Sequence, residues 1–406
     1  MKPLTSKSFY FLLVIQISVY TFYSKNCSGA EKEDTAKVKK LNSFFSKTEN
    51  TSPDLSIEYL KNALRLATKI NYLEGIAQSE YNYGTHYMHL GKNNDAIAHL
   101  RISLPIWIKL NLKEKIGNTL AFIGRGYMGI GNYDSSLYCY YASLFYLESA
   151  GDALSKTKLY NSIGNVYEAR SNLDSAMNYY RKAENLLLSS YFNHDNSGYT
   201  YMGIGNIYYK RGLLGLALVY YQKTLSEYQK SNNANEIATT YSNLGNVWSD
   251  SGKYQEAFES YNKALKIKQG LKDQRGITET LINIGVMLND KANSNNDNQN
   301  YKKALQYYFF ALPISIQINA KPLEMEIYHN LSSTYGNLKQ FDSAYSYDIK
   351  YNSLKDSVVN DRNSKSMADM LVKYETKKKE EQREAALATA SLRTRQFYTA
   401  TSAFDL

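Results

Sequence analysis

Asparagine recurs at two fixed distances from a repeated glycine, and no other residue pattern in this chain is so well placed to do chemistry. Glycines stand at Gly84, Gly124, Gly164, Gly205, Gly245 and Gly285, in steps of 40, 40, 41, 40 and 40 residues. Two residues before the repeat position come Asn82, Asn243, Asn283 and, where Ser332 replaces the glycine, Asn330. One residue after it come Asn165, Asn206 and Asn246. A carboxamide offers a donor and an acceptor at once. A ladder of them can therefore pair with an extended peptide backbone without reading its side chains. Asn206, Asn243, Asn246 and Asn283 occupy three consecutive repeats on one helical face. The same residues also suit a packing role beside the glycine, bonding neighbouring helices.

Other chemistry finds little support. His86 and His89 stand three apart, on one face of a helix, but no cysteine or acidic cluster completes a metal-ligand set. Gly203 and Gly205 fall inside a helical pattern rather than after a strand, so they form no phosphate-binding loop. No Ser-His-Asp arrangement, zinc signature or kinase element is found. The expectation is a binding protein without cofactor or small-molecule substrate, and not an enzyme.

The elements that hold the asparagines follow from the repeat. Three residues after each glycine comes a large side chain: Tyr87, Tyr127, Tyr167, Tyr208, Trp248 and Leu288. Twelve residues after the first five comes a small one: Ala96, Ser136, Ala176, Ala217 and Ala257. Helices approach closely only where a side chain is small. Apolar spacing such as Ile237, Tyr241, Leu244, Trp248 fits a helical period. Each unit reads as helix, turn, helix, and a fixed period of this length marks a solenoid. Seven units are predicted over residues 77–358. A capping half repeat precedes them at 53–76, and a polar leader at 31–52. In unit six the alanine is Ala304, 19 residues after Gly285, so seven extra residues fall in 291–300. That asparagine-rich run is predicted to be a mobile loop with nothing to bury. Pro105 and Pro313 occupy matching places in second helices and predict a kink or early stop. Residues 359–406 form a lysine- and glutamate-rich helix and a tail, weakly coiled-coil near Met367, Leu371 and Tyr374.

The N-terminus reads as an export signal. Lys2 and Lys7 precede an apolar run over 9–23, and Ser28 and Ala30 supply a small-residue cleavage site after residue 30. About 20 residues are needed to span a bilayer. Cleavage leaves Cys139 as the lone cysteine, expected to be a small core hydrophobe. It also removes three lysines, so the formal charge of +10 falls to 45 − 38 = +7. With charges interspersed and no arginine-rich stripe, a nucleic-acid partner is not expected.

Residues 161–187 and 242–268, with their Ile/Leu-Gly-Asn-Val-Tyr/Trp runs and following alanines, resemble the tetratricopeptide-repeat family. The resemblance covers 53–356 and recurs seven times in register. It implies an all-α, right-handed superhelical solenoid of helix-turn-helix units, followed by the charged C-terminal helix. In that family the first helices line a concave groove, and the two asparagine positions are groove positions. The implied peptide-binding residues are therefore Asn165, Asn206, Asn243, Asn246, Asn283 and Asn330. A carboxylate clamp of the kind some relatives carry is not expected, because Glu279 and Asn283 stand where cations are needed. The 40-residue period, against the usual 34, resembles kinesin light chains, G-protein regulators and bacterial peptide-responsive regulators. The order of segments also resembles the extracytoplasmic sensor regions of certain bacterial histidine kinases and transcription regulators.

The resulting expectation is an exported, periplasmic or envelope-associated scaffold that binds a peptide or protein partner in signalling or assembly. Two alternatives stand beside it. One is the sensing half of a split or truncated two-component receptor, with a membrane kinase or regulator as partner. The other is a cytoplasmic regulator held by an uncleaved N-terminal anchor.

Overall fold

A computed structural model describes residues 29–49, 51–148, 153–189, 194–295 and 297–358. The expected export signal and the charged C-terminal helix lie outside the described residues. The helices in chain order are α1 (Gly29–Thr48), α2 (Pro53–Lys69), α3 (Leu73–His89), α4 (Asn93–Lys109), α5 (Lys113–Gly129) and α6 (Tyr133–Glu148). They continue with α7 (Ala153–Ala169), α8 (Leu173–Ser189), α9 (His194–Lys210), α10 (Leu214–Lys230) and α11 (Ala234–Asp250). Next come α12 (Tyr254–Gly270), α13 (Gln274–Asn295), α14 (Asn298–Gln317) and α15 (Lys321–Asn337), and α16 covers 341–358. No strand occurs among the described residues.

The chain divides into two compact units, Met1–Thr240 and Tyr241–Leu406. In the first, α1 to α10 form five hairpins, and each second helix packs on the first helix of the next hairpin. In the second, α12 packs on α13 and α14 on α15 in the same way. This is the stacking of an α-solenoid.

The turns explain why so few glycines are needed. Within hairpins the residue seven after the repeat position turns left-handed: Gly91, Gly131, Ser171, Gly212, Gly252 and Lys339. The next backbone N–H then bonds the carbonyl of the aromatic three after the repeat position, as in Lys92 to Tyr87 and Lys253 to Trp248, both 2.9 Å. That six-residue closure caps the last turn of the first helix. Joints between hairpins use Asn71, Asn111, Asn232, Lys272 and Asn319 in the same conformation.

The repeat glycine accommodates a tyrosine sixteen residues later. A methyl group added at Gly124, Gly164, Gly205 or Gly245 would lie 2.9, 2.8, 2.8 or 2.5 Å from the ring of Tyr140, Tyr180, Tyr221 or Tyr261. Each of these rings is buried. At Gly84 the same place is filled by Leu100. Tyr180 serves twice, because a methyl at Gly203 in the next hairpin would lie 2.6 Å from the same ring. A second link joins adjacent hairpins. Arg101, Tyr141 and Arg181 reach the hydroxyls of Tyr127, Tyr167 and Tyr208 at 2.5, 3.0 and 2.9 Å.

Three sequence expectations are corrected. Residues 31–49 are not a leader without structure: α1 pairs with α2 as a full first hairpin. Its buried side chains are only Val38, Asn42 and Phe45, a stripe too thin to stand out against the polar composition. The 291–300 run is helical almost throughout. It lengthens α13 to 22 residues and α14 to 20, against 17 for most of the others. Ala292 and Tyr301 are buried, Tyr301 donates to Asn293 Oδ1 at 2.5 Å, and Asp297 caps α14 by accepting from the Gln299 N–H at 2.8 Å. That burial and the cap offset the modest helix propensity of asparagine. Of the kink or early stop expected at Pro105 and Pro313, the early stop does not occur: α4 runs on to Lys109 and α14 to Gln317. Trp107 and Ser315, two residues after each proline, are buried in the turns that follow.

Cys139 is a core residue as expected, its thiol pushed up to about 12 by burial. Lys268 is the unexpected one. It is buried where earlier hairpins place Trp107, Leu147, Leu187 and Tyr228, and its Nζ donates only to Ser242 and Thr280 hydroxyls, at 3.3 and 3.0 Å. Desolvation lowers its pKa below the ordinary lysine value, against the opposing pull of Glu279 and Asp273. A lysine with a depressed folded pKa binds fewer protons folded than unfolded, so stability rises with pH through the window below 10.5. Replacing a buried charge with a packed apolar chain is often stabilising, so Lys268→Leu is expected to raise stability at pH 7 by about 1–2 kcal/mol. The gain should shrink as pH approaches 10.5, which urea titrations at two pH values measure.

Candidate functional site

On the first helices, the positions six and two before the repeat residue, and one and five after it, form one stripe, because they are spaced four, three and four apart. The second helix covers the opposite side, where the glycine sits. In the first unit the stripe carries Asn165 on α7 and Asn206 on α9. In the second unit it carries Asn243 and Asn246 on α11, Asn283 on α13 and Asn330 on α15. All six are half-buried. First helices of successive hairpins lie side by side within each unit. Asn289 Nδ2 on α13, for instance, donates to Thr334 on α15 at 2.8 Å.

The asparagines after the glycine are tied to the tyrosine that covers it. The hydroxyls of Tyr180, Tyr221 and Tyr261 donate to Oδ1 of Asn165, Asn206 and Asn246 at 2.6, 2.9 and 2.7 Å. Burial pushes the Tyr180 and Tyr221 phenols above the usual tyrosine range, which keeps them protonated as donors. Sixteen-residue spacing from glycine to tyrosine was visible in the sequence and would have found this partner. The bond fixes each carboxamide plane and occupies one lone pair of its oxygen. At Asn165 the amide nitrogen is engaged too, donating one of its two N–H groups to the Tyr199 hydroxyl. At Asn206 and Asn246 the nitrogen donates to nothing among the described residues. Asn283 and Asn330 make no side-chain hydrogen bond among the described residues, whereas Asn243 has a partner.

Asn82 is withdrawn from the face. It is buried, and its Nδ2 donates to Asn42 Oδ1 on α1 at 2.8 Å. His86 and His89 converge on Glu49, with each Nδ1 within 3.3 and 3.1 Å of Oε1. No group of three His, Cys, Asp or Glu among the described residues is arranged to hold a metal ion.

Carboxylates flank the asparagines in the second unit. Asp250 and Asp290 stand five after their glycines, and Glu279 and Glu326 six before their repeat positions. Burial raises the Asp290 carboxyl above the ordinary range, and Asp250 adds to the shift. Burial likewise raises Glu326, with Glu279 adding and His329 opposing.

The hairpins, their shared glycine–tyrosine contacts and their stripe of first-helix side chains define a helical-repeat scaffold. A tetratricopeptide-repeat profile matches residues 197–270, and a second matches 157–186 and 326–347, in register with the hairpins. Those stretches of the chain carry tetratricopeptide repeats. The apo quorum sensor NprR from B. thuringiensis is similar in structure, with TM-score 0.63 and 15% identity over 86% of this chain and 93% of that one. A STAND signal-transduction ATPase with a tetratricopeptide-repeat sensor, from Pyrococcus horikoshii, gives TM-score 0.59 and 15% identity over 88% and 52%. Aspartyl phosphate phosphatase F from Bacillus subtilis gives 0.56 and 13% over 86% and 89%. At such identities the likeness defines the fold. No curated protein matches the sequence.

Proposed function

We propose that this protein is a binding scaffold whose first-helix face holds an extended peptide segment of a partner. One observation carries this. Within the second unit Asn246 is oriented through Oδ1 by buried Tyr261 while its amide nitrogen stays unengaged, and Asn283 and Asn330 are unengaged altogether; within the first unit Asn206 is held by Tyr221 in the same way. Pre-oriented donors reduce the ordering cost of binding. An extended backbone supplies the acceptors they lack. The quorum-sensor fold of NprR is consistent with a sensing role. The apolar run over 9–23, read as an export signal, supports a role outside the cytoplasm. No helix among the described residues is long and apolar enough to cross a membrane.

Asn283 and Asn330 give the cleanest test, because no intramolecular bond is lost with them. The double variant Asn283→Ala/Asn330→Ala is expected to melt at or slightly above the parent temperature, since alanine has the higher helix propensity. Panning a displayed random heptapeptide library on the immobilised full chain should recover binders. The double variant should hold them about tenfold less tightly, the equivalent of two hydrogen bonds of roughly 0.7 kcal/mol each. Undiminished affinity in the variant would make the asparagines purely structural.

A further inference from the structure

We infer that the peptide held by the second unit carries basic side chains, two of them about three positions apart. The inference rests on the peptide-binding reading above and names the chemistry of its guest.

The stripe in this unit is acidic at both ends and amidic between. On α13, Glu279 and Asp290 are eleven residues apart, which is about 16 Å along a helix, with Asn283 between them. Asp250 on α11 repeats the position of Asp290, and Glu326 on α15 repeats that of Glu279, with Asn246 and Asn330 alongside. Asp290 and Glu326 form no salt bridge among the described residues. Glu279 has Arg275 at 3.1 Å, on its own helix. In a chain of formal charge +10 this face runs against the composition. Like charges also stand near one another across neighbouring helices, Asp250 raising Asp290 and Glu279 raising Glu326. Such repulsion is relieved by an incoming cation.

A single metal ion does not fit, because no three of these groups converge. Separate cationic groups do fit. Packed helices lie about 8–10 Å apart. An extended peptide crossing them advances about 3.3 Å per residue. One helix step is therefore about three residues, which sets the spacing of the two basic side chains. The unengaged amides of Asn246, Asn283 and Asn330 lie between the two acidic rows, so one crossing segment meets both kinds of group.

The test is the composition of the heptapeptides recovered from the library. With the full parent chain, Lys and Arg should be enriched about twofold or more over the input, preferentially as pairs three apart, and binding should weaken steeply with salt. With Asp290→Asn/Glu326→Gln the enrichment should return to the input level, and a synthetic enriched peptide should bind roughly fivefold less tightly. These residues lie at the surface with only their carboxyls partly desolvated, and their loss removes repulsion, so the variant is expected to fold; an unchanged circular dichroism melt checks it. Recovery of neutral or acidic peptides that still depend on Asn283 would overturn the charge inference and leave the peptide-binding reading standing. Basic enrichment that persists in the double carboxylate variant would also overturn it. Recovery of nothing above background would remove both.

Discussion

Tyr180→Ala is expected to cost about 3–5 kcal/mol, the range for deleting a large buried aromatic ring. Three losses coincide there. The ring is fully buried, lying over Gly164 of its own hairpin and Gly203 of the next. Glycine has no side chain with which to relax into the void, so both contacts are left empty. The hydroxyl also lies 2.6 Å from Asn165 Oδ1 and 2.8 Å from Glu168 Oε2, two acceptors that share its single proton. Tyr180→Phe isolates that last part and should cost about 1 kcal/mol. Thermal and urea unfolding of both variants separate ring from hydroxyl. Hydrogen exchange should show loss of protection in α7, α8 and α9. An alanine variant as stable as Tyr180→Phe would mean that the ring does not hold the two hairpins.

Gly245→Leu should be nearly as damaging, from the opposite direction. Even a methyl there would lie 2.5 Å from the Tyr261 ring. A whole isobutyl group has no space between α11 and α12. Overpacking typically costs about 1–3 kcal/mol, and a four-carbon branched addition against a buried aromatic belongs at or above about 3 kcal/mol. Better helix propensity returns at most about 1 kcal/mol. A second-site change, Tyr261→Ala, removes the obstructing ring. The double variant should be less destabilised than the sum of the two single ones, which a double-mutant cycle reads directly. Additive effects would show that Gly245 and Tyr261 do not meet.

The period was enough to read the hairpins, because every unit repeats the same glycine, aromatic and small residue. What it hid was the second partner of each glycine. The glycine's own face is covered not by the aromatic three residues on but by Tyr140, Tyr180, Tyr221 and Tyr261, sixteen residues on. The asparagine positions were legible by register, and the structure leaves them half-buried on the expected stripe. Their unequal availability was not legible. Nothing in the local sequence distinguishes Asn165, closed by Tyr199, from Asn206, whose nitrogen remains unengaged. The polar appearance of 31–49 and 291–300 misled for a shared reason. Composition reports average hydrophobicity, whereas a helix needs only a few buried positions in step, such as Val38, Asn42 and Phe45.

The ring of Tyr180, held by one hairpin and received by the next, has a consequence for how the first unit comes apart. A hairpin that frays exposes the bare backbone of its neighbour's glycine, so the neighbour loses support in the same event. Melting then travels as a boundary, one hairpin at a time, instead of as scattered openings. Damage at Tyr180 is therefore felt in both of the hairpins that its ring touches.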